Sequence, residues 1–267
     1  MPRSGDYSRE SRIGRVIFLL SRLSATKARV SALAVEQTVA FVGGDRAACA
    51  KEKLVNGDIV GYDPGGNGGH GVARLRVKSG RAVSAIAATL RTTEQAIRWI
   101  TEGDPPKGLG IDTLTVWSTG SSGWRPADRY LREKYPAVKI SILSPNWLFG
   151  AMAANGMAVI GALRGTWPSL VVSETHPKVL YYALTRDAYS YEADKMRMEM
   201  RLSKWLGLAA PVTTQDDNDW DALVSAWAVF KGLTGEWPLD LHQLPTSPDE
   251  RLIAPFGPSH YYWPKGK

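Results

Sequence analysis

This sequence predicts an α/β fold: a mixed sheet of five strands with helices on its faces. Three observations carry the prediction. Three β-patterned segments follow one another at hairpin spacing between residues 58 and 90. Beyond them, strand-like and helix-like segments alternate. The bulk composition of the 267 residues, 44% apolar and 22% charged, is that of an ordinary globular chain. Hairpin-linked strands pair antiparallel. Strands separated by helices pair parallel and need helices to cover them.

The patterned region opens at Asp58. Asp58–Asp63 (DIVGYD) reads as a strand running into a loop with five glycines within residues 65–71. Gly71–Val77 alternates apolar and polar as a half-buried strand does. Ser79-Gly80 marks a turn, and Ala82–Leu90 reads as the third strand. Thr92-Thr93-Glu94-Gln95 is a capping box with Thr92 as N-cap and Gln95 at N3, opening a helix that ends near Gly103. Gly108–Val116 (GLGIDTLTV) reads as the fourth strand. A Ser/Gly loop over 118–123 and a short charged helix near Pro126–Lys134 follow.

Ser144-Pro145 is expected to start another helix, with Pro at N1 and a buried stripe of Phe149, Met152, Met157, Ile160 and Leu163. Ser169–Ser173 (SLVVS) is the fifth strand. A helix over 191–206 turns Met198, Leu202, Trp205 and Leu206 to one side and stops at Gly207. Thr213 or Thr214 is expected to cap the last helix, whose apolar face carries Trp220, Leu223, Val224, Trp227 and Phe230. Residues 236–267 are rich in Pro and aromatics and are expected to run extended over the domain surface.

The net charge is +7, but its distribution matters more than its size. Residues 1–57 hold ten Lys/Arg against five Asp/Glu, which leaves 23 against 21 for the rest. The basic excess thus belongs to an N-terminal extension, read as partly disordered or helical, and the body is nearly neutral. One cysteine, Cys49, excludes a disulfide framework and a thiolate zinc site. A reducing cytoplasm is the expected setting. No apolar run reaches the roughly 18 residues that suggest a membrane span.

The chemistry-bearing residues are carboxylates. Val60-Gly61-Tyr62-Asp63 and Leu109-Gly110-Ile111-Asp112 echo each other, each placing an acid after Gly and a bulky residue. Asp217 and Asp221 lie four apart on one face of the last helix. Asp216 and Asp219 are expected to be solvated, favoured by the helix dipole. Asp221 stands a turn inside, beside Trp220 and Leu223, where a carboxylate is costly unless paired or metal-bound. If Asp63, Asp112 and Asp221 converge, each pair about 4 Å apart costs about 4 kcal/mol at an effective dielectric of 20. A divalent cation resolves that repulsion, and all-oxygen donors suit Mg²⁺ or Mn²⁺ better than zinc.

These residues resemble a known pattern. VGYDPGGNGGHGVA looks like the first-strand motif of RuvC-type resolvases, and Asp217-Asn218-Asp219-Trp220-Asp221-Ala222-Leu223 resembles their closing helix motif. Residues 58–265 are more similar to a bacterial family of unknown function regarded as RNase H-like nucleases. The marks of that family fall here on Asp63-Pro64-Gly65, Ile111-Asp112, Arg125-Pro126-Ala127-Asp128, Glu174-Thr175-His176-Pro177 and Asp221-Ala222. The resemblance implies an RNase H-like sheet of order 3-2-1-4-5 over residues 58–235. It also implies catalytic Asp63, Asp112, Glu174 and Asp221, metal held by Asp63, Asp112, Asp217 and Asp221, and a nucleic-acid substrate. Thr113-Leu114 after Asp112, and Asn218 three residues before Asp221, depart from the pattern.

Several further residues have two readings. Glu174 is either a ligand or an anchor for Arg125 or Arg129. His176 is either catalytic or packed on Pro177, and His70 lies near the expected mouth of the site. Trp117 and Trp124 are the candidates for stacking on bases, and Lys195, Arg197, Arg201 and Lys204 those for phosphate contacts. Two other functions compete with the nuclease. A phosphotransferase of the actin/hexokinase type would use the glycine loop for phosphates, but needs a second such motif, which is not found after residue 112. A non-catalytic binding module would keep only the fold.

Overall fold

In the computed structural model, residues 54–66, 69–142, 150–247 and 249–265 are described. The N-terminal extension through residue 53, the Ser144-Pro145 helix start and Phe149 lie outside them. Strand β1 (Gly57–Asp63) pairs antiparallel with β2 (His70–Lys78), and β2 pairs antiparallel with β3 (Arg81–Leu90). Helix α1 (Thr93–Thr101) then leads to β4 (Gly108–Ile111), which lies parallel to β1. Thr92 caps α1 as expected, its side chain accepting from the Gln95 amide at 3.2 Å.

The fourth strand is shorter than its alternation suggests. After Ile111 the chain turns, and Trp117–Ser118 forms a two-residue strand, β5, outside the main sheet. Helix α2 (Pro126–Lys134) and helix α3 (Ala151–Thr166, N-capped by Gly150) come next. Strand β6 (Val171–Glu174) pairs parallel with β4. It starts and ends later than SLVVS indicated, because Trp167–Leu170 closes a turn first. The five-stranded sheet therefore runs β3-β2-β1-β4-β6. It departs from the expected 3-2-1-4-5 by the interposed β5.

Three helices follow. Helix α4 (Pro177–Thr185) was not anticipated, although Pro177 sits at its first position as helix starts favour. Helix α5 (Tyr191–Leu206) stops at Gly207 in the left-handed conformation, as expected. Helix α6 (Asp217–Thr234) is capped by Asp216, not by Thr213 or Thr214. The Asp216 carboxylate accepts from the Asp219 amide at 3.1 Å. Thr214 is spent elsewhere, donating to Glu199 and bonding Tyr191. Asp219 is buried, not solvated: Thr89 of the edge strand and the Gln215 amide both donate to it.

Helices cover both sheet faces. Val60, Tyr62, Val72, Leu109, Ile111 and Val172 point towards α1 and α3. Ile59, Ala73, Leu75 and Val77 join the larger core built around α6, with α2, α4 and α5 contributing. The C-terminal segment is more interior than expected. Strand β7 (Leu239–Asp240) pairs with β9 (Tyr262–Trp263), and β8 (Leu252–Ile253) pairs with β5. Tyr261 and Trp263 are among the most buried large side chains. Aromatic bulk at that density finds more stabilisation inside the core than over its surface. Among the described residues, no helix is long and apolar enough to cross a membrane.

Helix α6 lies unusually close to the sheet, and glycine permits it. A Cβ on Gly61 would come within 1.8 Å of the Ala222 carbonyl oxygen. One on Gly110 would come within 1.9 Å of the Ser225 oxygen, and one on Gly71 within 2.0 Å of the Asn218 oxygen. These are backbone atoms and cannot swing aside. Gly110→Ala should therefore cost about 1–3 kcal/mol or more through overpacking. Urea unfolding measures it, and an unchanged midpoint would refute the close approach.

Candidate carboxylate site

Strand parity places the first two acids. Tyr62 is in register with Ile111, and the Asp112 amide donates to the Tyr62 carbonyl at 3.0 Å. Asp63 and Asp112 are thus the next residues of neighbouring parallel strands. Each lies two positions beyond a glycine that faces α6, so both carboxylates point to the α6 side. That is the physical content of the Gly-x-Asp echo. The glycine lets the helix backbone down onto the sheet, and the acid one repeat later meets the helix's own acids.

Helix α6 brings Asp217 and Asp221 to the same place. Asp221 is 3% exposed and Asp63 6%. Asp112 and Asp217 are half-buried. The Asn218 side chain lies against Gly69 of the glycine loop. The loop is pinned from the other side too, where the Asn155 amide donates to the Gly65 carbonyl at 2.8 Å.

Electrostatics shows the convergence. Burial, then the charges of Asp221 and Asp112, push the Asp63 carboxyl well above the ordinary range. Burial and the Asp112 charge do the same to Asp221. Burial also raises Asp112, against the pull of His176 and Lys178. The carboxylate of Asp63 accepts no hydrogen bond among the described residues. Asp221 has one donor, the hydroxyl of Tyr189 at 2.9 Å. Burial and that carboxylate together raise the Tyr189 phenol far out of its ordinary range. Among the described residues, no group of three or more His, Cys, Asp or Glu side chains is placed to hold a metal ion. The nearest positive charge acting on all four acids is that of Lys178.

Lys178 and Tyr189 had no signature in the sequence. Lys178 sits in the first turn of α4, with its ammonium over the Tyr189 ring, 5.3 Å from its centre. Burial works against its charge, but Asp221, Asp112, Asp217 and Asp63 hold its pKa above the ordinary value.

Glu174 is not among these acids. It is in register with Ile111, so it faces the opposite side of the sheet from Asp63 and Asp112. Both of its oxygens are taken by the Arg125 guanidinium, at 2.7 and 2.8 Å, and the Thr115 amide donates at 2.9 Å. Arg125 also holds Asp128 at 2.6 Å. Burial alone would raise the Glu174 pKa, but Arg125 and His242 hold it far below the ordinary range. Of the two readings of Glu174, the geometry matches an anchor, and its partner is Arg125. Arg129 pairs with Glu250 instead.

Most of the remaining candidates are engaged. His176 bonds the Ser141 carbonyl at 2.9 Å, beside Asp112. His70 is buried and bonds the Tyr62 hydroxyl at 2.8 Å, on the sheet face away from α6. Trp117 is buried in a small cluster with Leu114 and Ala153, and Trp124 lies under the Arg132 guanidinium, 4.7 Å away. Arg197 and Arg201 pair with Asp187, and Lys195 donates to the Gln215 carbonyl. Two cavities of about 440 and 430 Å³ lie away from the carboxylates, one beside Trp117 and Met157 and one between β3 and residues 208–213. The chain matches no protein-family model and no curated protein.

Proposed function

We propose that residues 58–235 form an RNase H-like, divalent-metal-dependent nuclease that hydrolyses phosphodiester bonds of nucleic acid. The observation that carries this reading is Asp63: a residue 6% exposed, whose carboxylate accepts no hydrogen bond among the described residues and lies in the field of Asp221 and Asp112. A buried carboxylate in that state is costly unless a cation meets it. The donor set fits Mg²⁺ or Mn²⁺, since Asp63, Asp112, Asp217 and Asp221 offer only oxygen. When bound there, such an ion polarises a phosphodiester and lowers the pKa of a water.

The chain's own contribution is placement. The β1–β4 register fixes Asp63 beside Asp112, the glycine bed sets the height of Asp221 above them, and Tyr189 fixes the direction of the Asp221 carboxylate. Lys178 keeps the site from carrying the full negative charge of its acids and gives phosphate an opposite charge to approach. A second reading, a non-catalytic binding module, is favoured by that same Lys178, because it balances the acids without any metal.

The test is cleavage of single-stranded, duplex and junction DNA and RNA with Mg²⁺ or Mn²⁺, against chelated controls and Asp63→Asn. Metal-dependent cleavage that disappears in the variant is the expected result. Failure to cleave any substrate, together with failure to bind Mn²⁺, would leave the binding module standing.

A further inference from the structure

Strand β3 is an edge of the five-stranded sheet: among the described residues its only strand neighbour is β2. An edge of that kind is a template for pairing with another chain, and proteins usually blunt it with charged side chains or proline. Between Arg81 and Arg91 this strand has neither. Its bulge falls at Val83, near one end, and leaves Ser84–Leu90 regular. Val83 and Ile86 are 49% and 57% exposed. Beside the edge lies the groove of about 430 Å³ noted above, lined by Val83–Ala87 on one side and Leu208–Thr213 on the other. The far wall is tied down. The Val212 amide donates to the Ser203 hydroxyl at 2.8 Å, and the Thr214 amide to Glu199 at 2.7 Å.

The two ends of the strand carry opposite charge. Arg81 is exposed at its start. At its far end the Thr89 hydroxyl donates to Asp216 at 2.6 Å. Neither Arg81 nor Asp216 has an ion pair among the described residues. A parallel copy of the strand would set Arg81 against Arg81. An antiparallel copy brings each Arg81 to the Asp216 end of the other, and symmetry makes that contact twice. We propose that β3 pairs antiparallel with β3 of a second copy, about a two-fold axis at Ala85, so that the two sheets become one continuous sheet. In that register Ile86 of one copy stands opposite Ser84 of the other, Val83 opposite Ala87, and Arg81 opposite Thr89. The exposed large side chains thus meet small residues that line the groove. The pairing is independent of any reading of the carboxylate site.

The experiment measures the mass of the full-length protein by sedimentation velocity over a range of concentrations, for the wild type, Val83→Lys/Ile86→Lys and Arg81→Glu. The expected result is a dimer in the wild type. Self-association should weaken by about 100-fold or more in the double-lysine variant, which gathers four like charges along the joint, and by about 10-fold in Arg81→Glu, which sets an acid against Asp216. A circular-dichroism melt confirms that each variant is folded. Cross-linking fixes the register. Ala85→Cys in a Cys49→Ser background should join copy to copy under mild oxidation, because residues directly opposite in an antiparallel pair stand about 4.5–5.5 Å apart, within disulfide reach. Glu133→Cys, on the exposed side of α2, should not. A dimer indifferent to the lysines, or one that cross-links as readily through Glu133→Cys as through Ala85→Cys, would overturn the inference. So would a monomeric wild type, and hydrogen exchange then separates the alternatives: protected β3 amides assign the edge to another segment of the same chain, and freely exchanging ones leave it to a strand from a different protein.

Discussion

Replacing Arg125 by methionine should lower the folding stability by about 3–5 kcal/mol, a large share of what a domain possesses. The guanidinium is buried and reaches three separate parts of the chain: Asp128 in the first turn of α2, Glu174 at the end of β6, and the Val116 carbonyl at 2.9 Å. Methionine fills much of the same volume but leaves two buried carboxylates without their partner. Denaturant unfolding measures the loss, and a loss under 1 kcal/mol would refute the network as a principal tie. The same network predicts the acid limb of stability. The folded Glu174 carboxyl titrates below its ordinary value of 4.5. Its contribution is therefore complete above that value and drains away as pH falls through the lower, folded one. Glu174→Gln should flatten the decline of stability on the acid side, and an unaltered pH profile would contradict the assignment.

Asp63→Asn should act in two opposite directions. On the proposed nuclease reading, metal-dependent cleavage should fall by about 10³-fold or more, since the variant loses one of the acids proposed to hold the cation. Metal-free stability should rise by about 0.5–2 kcal/mol, as sites built for function commonly give back stability when neutralised. The physical reason is that Asp63 is buried, has no donor and faces Asp221 and Asp112. The amide removes the repulsion and keeps the shape. Mn²⁺ binding and a thermal melt without metal read the two effects separately. A variant that lost stability as well as activity would point to an unseen partner for Asp63.

Which features were legible in the sequence follows from how local their causes are. The hairpin strands, the Thr92 cap and the long apolar face of α6 depend on residues within a turn or two of one another, and each was readable. The convergence of Asp63, Asp112 and Asp221 entered the sequence reading only as a condition, carried by the echo of the two Gly-x-Asp segments and by the resemblance; the close approach of α6 over Gly61 and Gly110 belongs to the packing. Glu174 shows the limit. Its strand ends one residue later than the pattern suggested, and one residue reverses the face a side chain takes. Its Arg125 partner lies 49 residues upstream. Strand β4 stops at Ile111 although its alternation continues, because the chain instead supplies Trp117–Ser118 to a pairing with Leu252–Ile253. Lys178 carried no local mark, since only the packing of α4 against α6 brings an ordinary surface lysine to the acids.

The bed of Gly61, Gly71 and Gly110 behaves as a machinist's reference face. Main chain rests on main chain there, with no side chain in between to compress or change rotamer. The separation between the strand-borne acids and the helix-borne acids is therefore set by covalent geometry, which mutation elsewhere does not alter. Drift in the hydrophobic residues on the far side of α6 is absorbed as gain or loss of stability and is not passed on as error in the spacing of the carboxylates. The protein can vary much of its interior while its working dimension stays in tolerance.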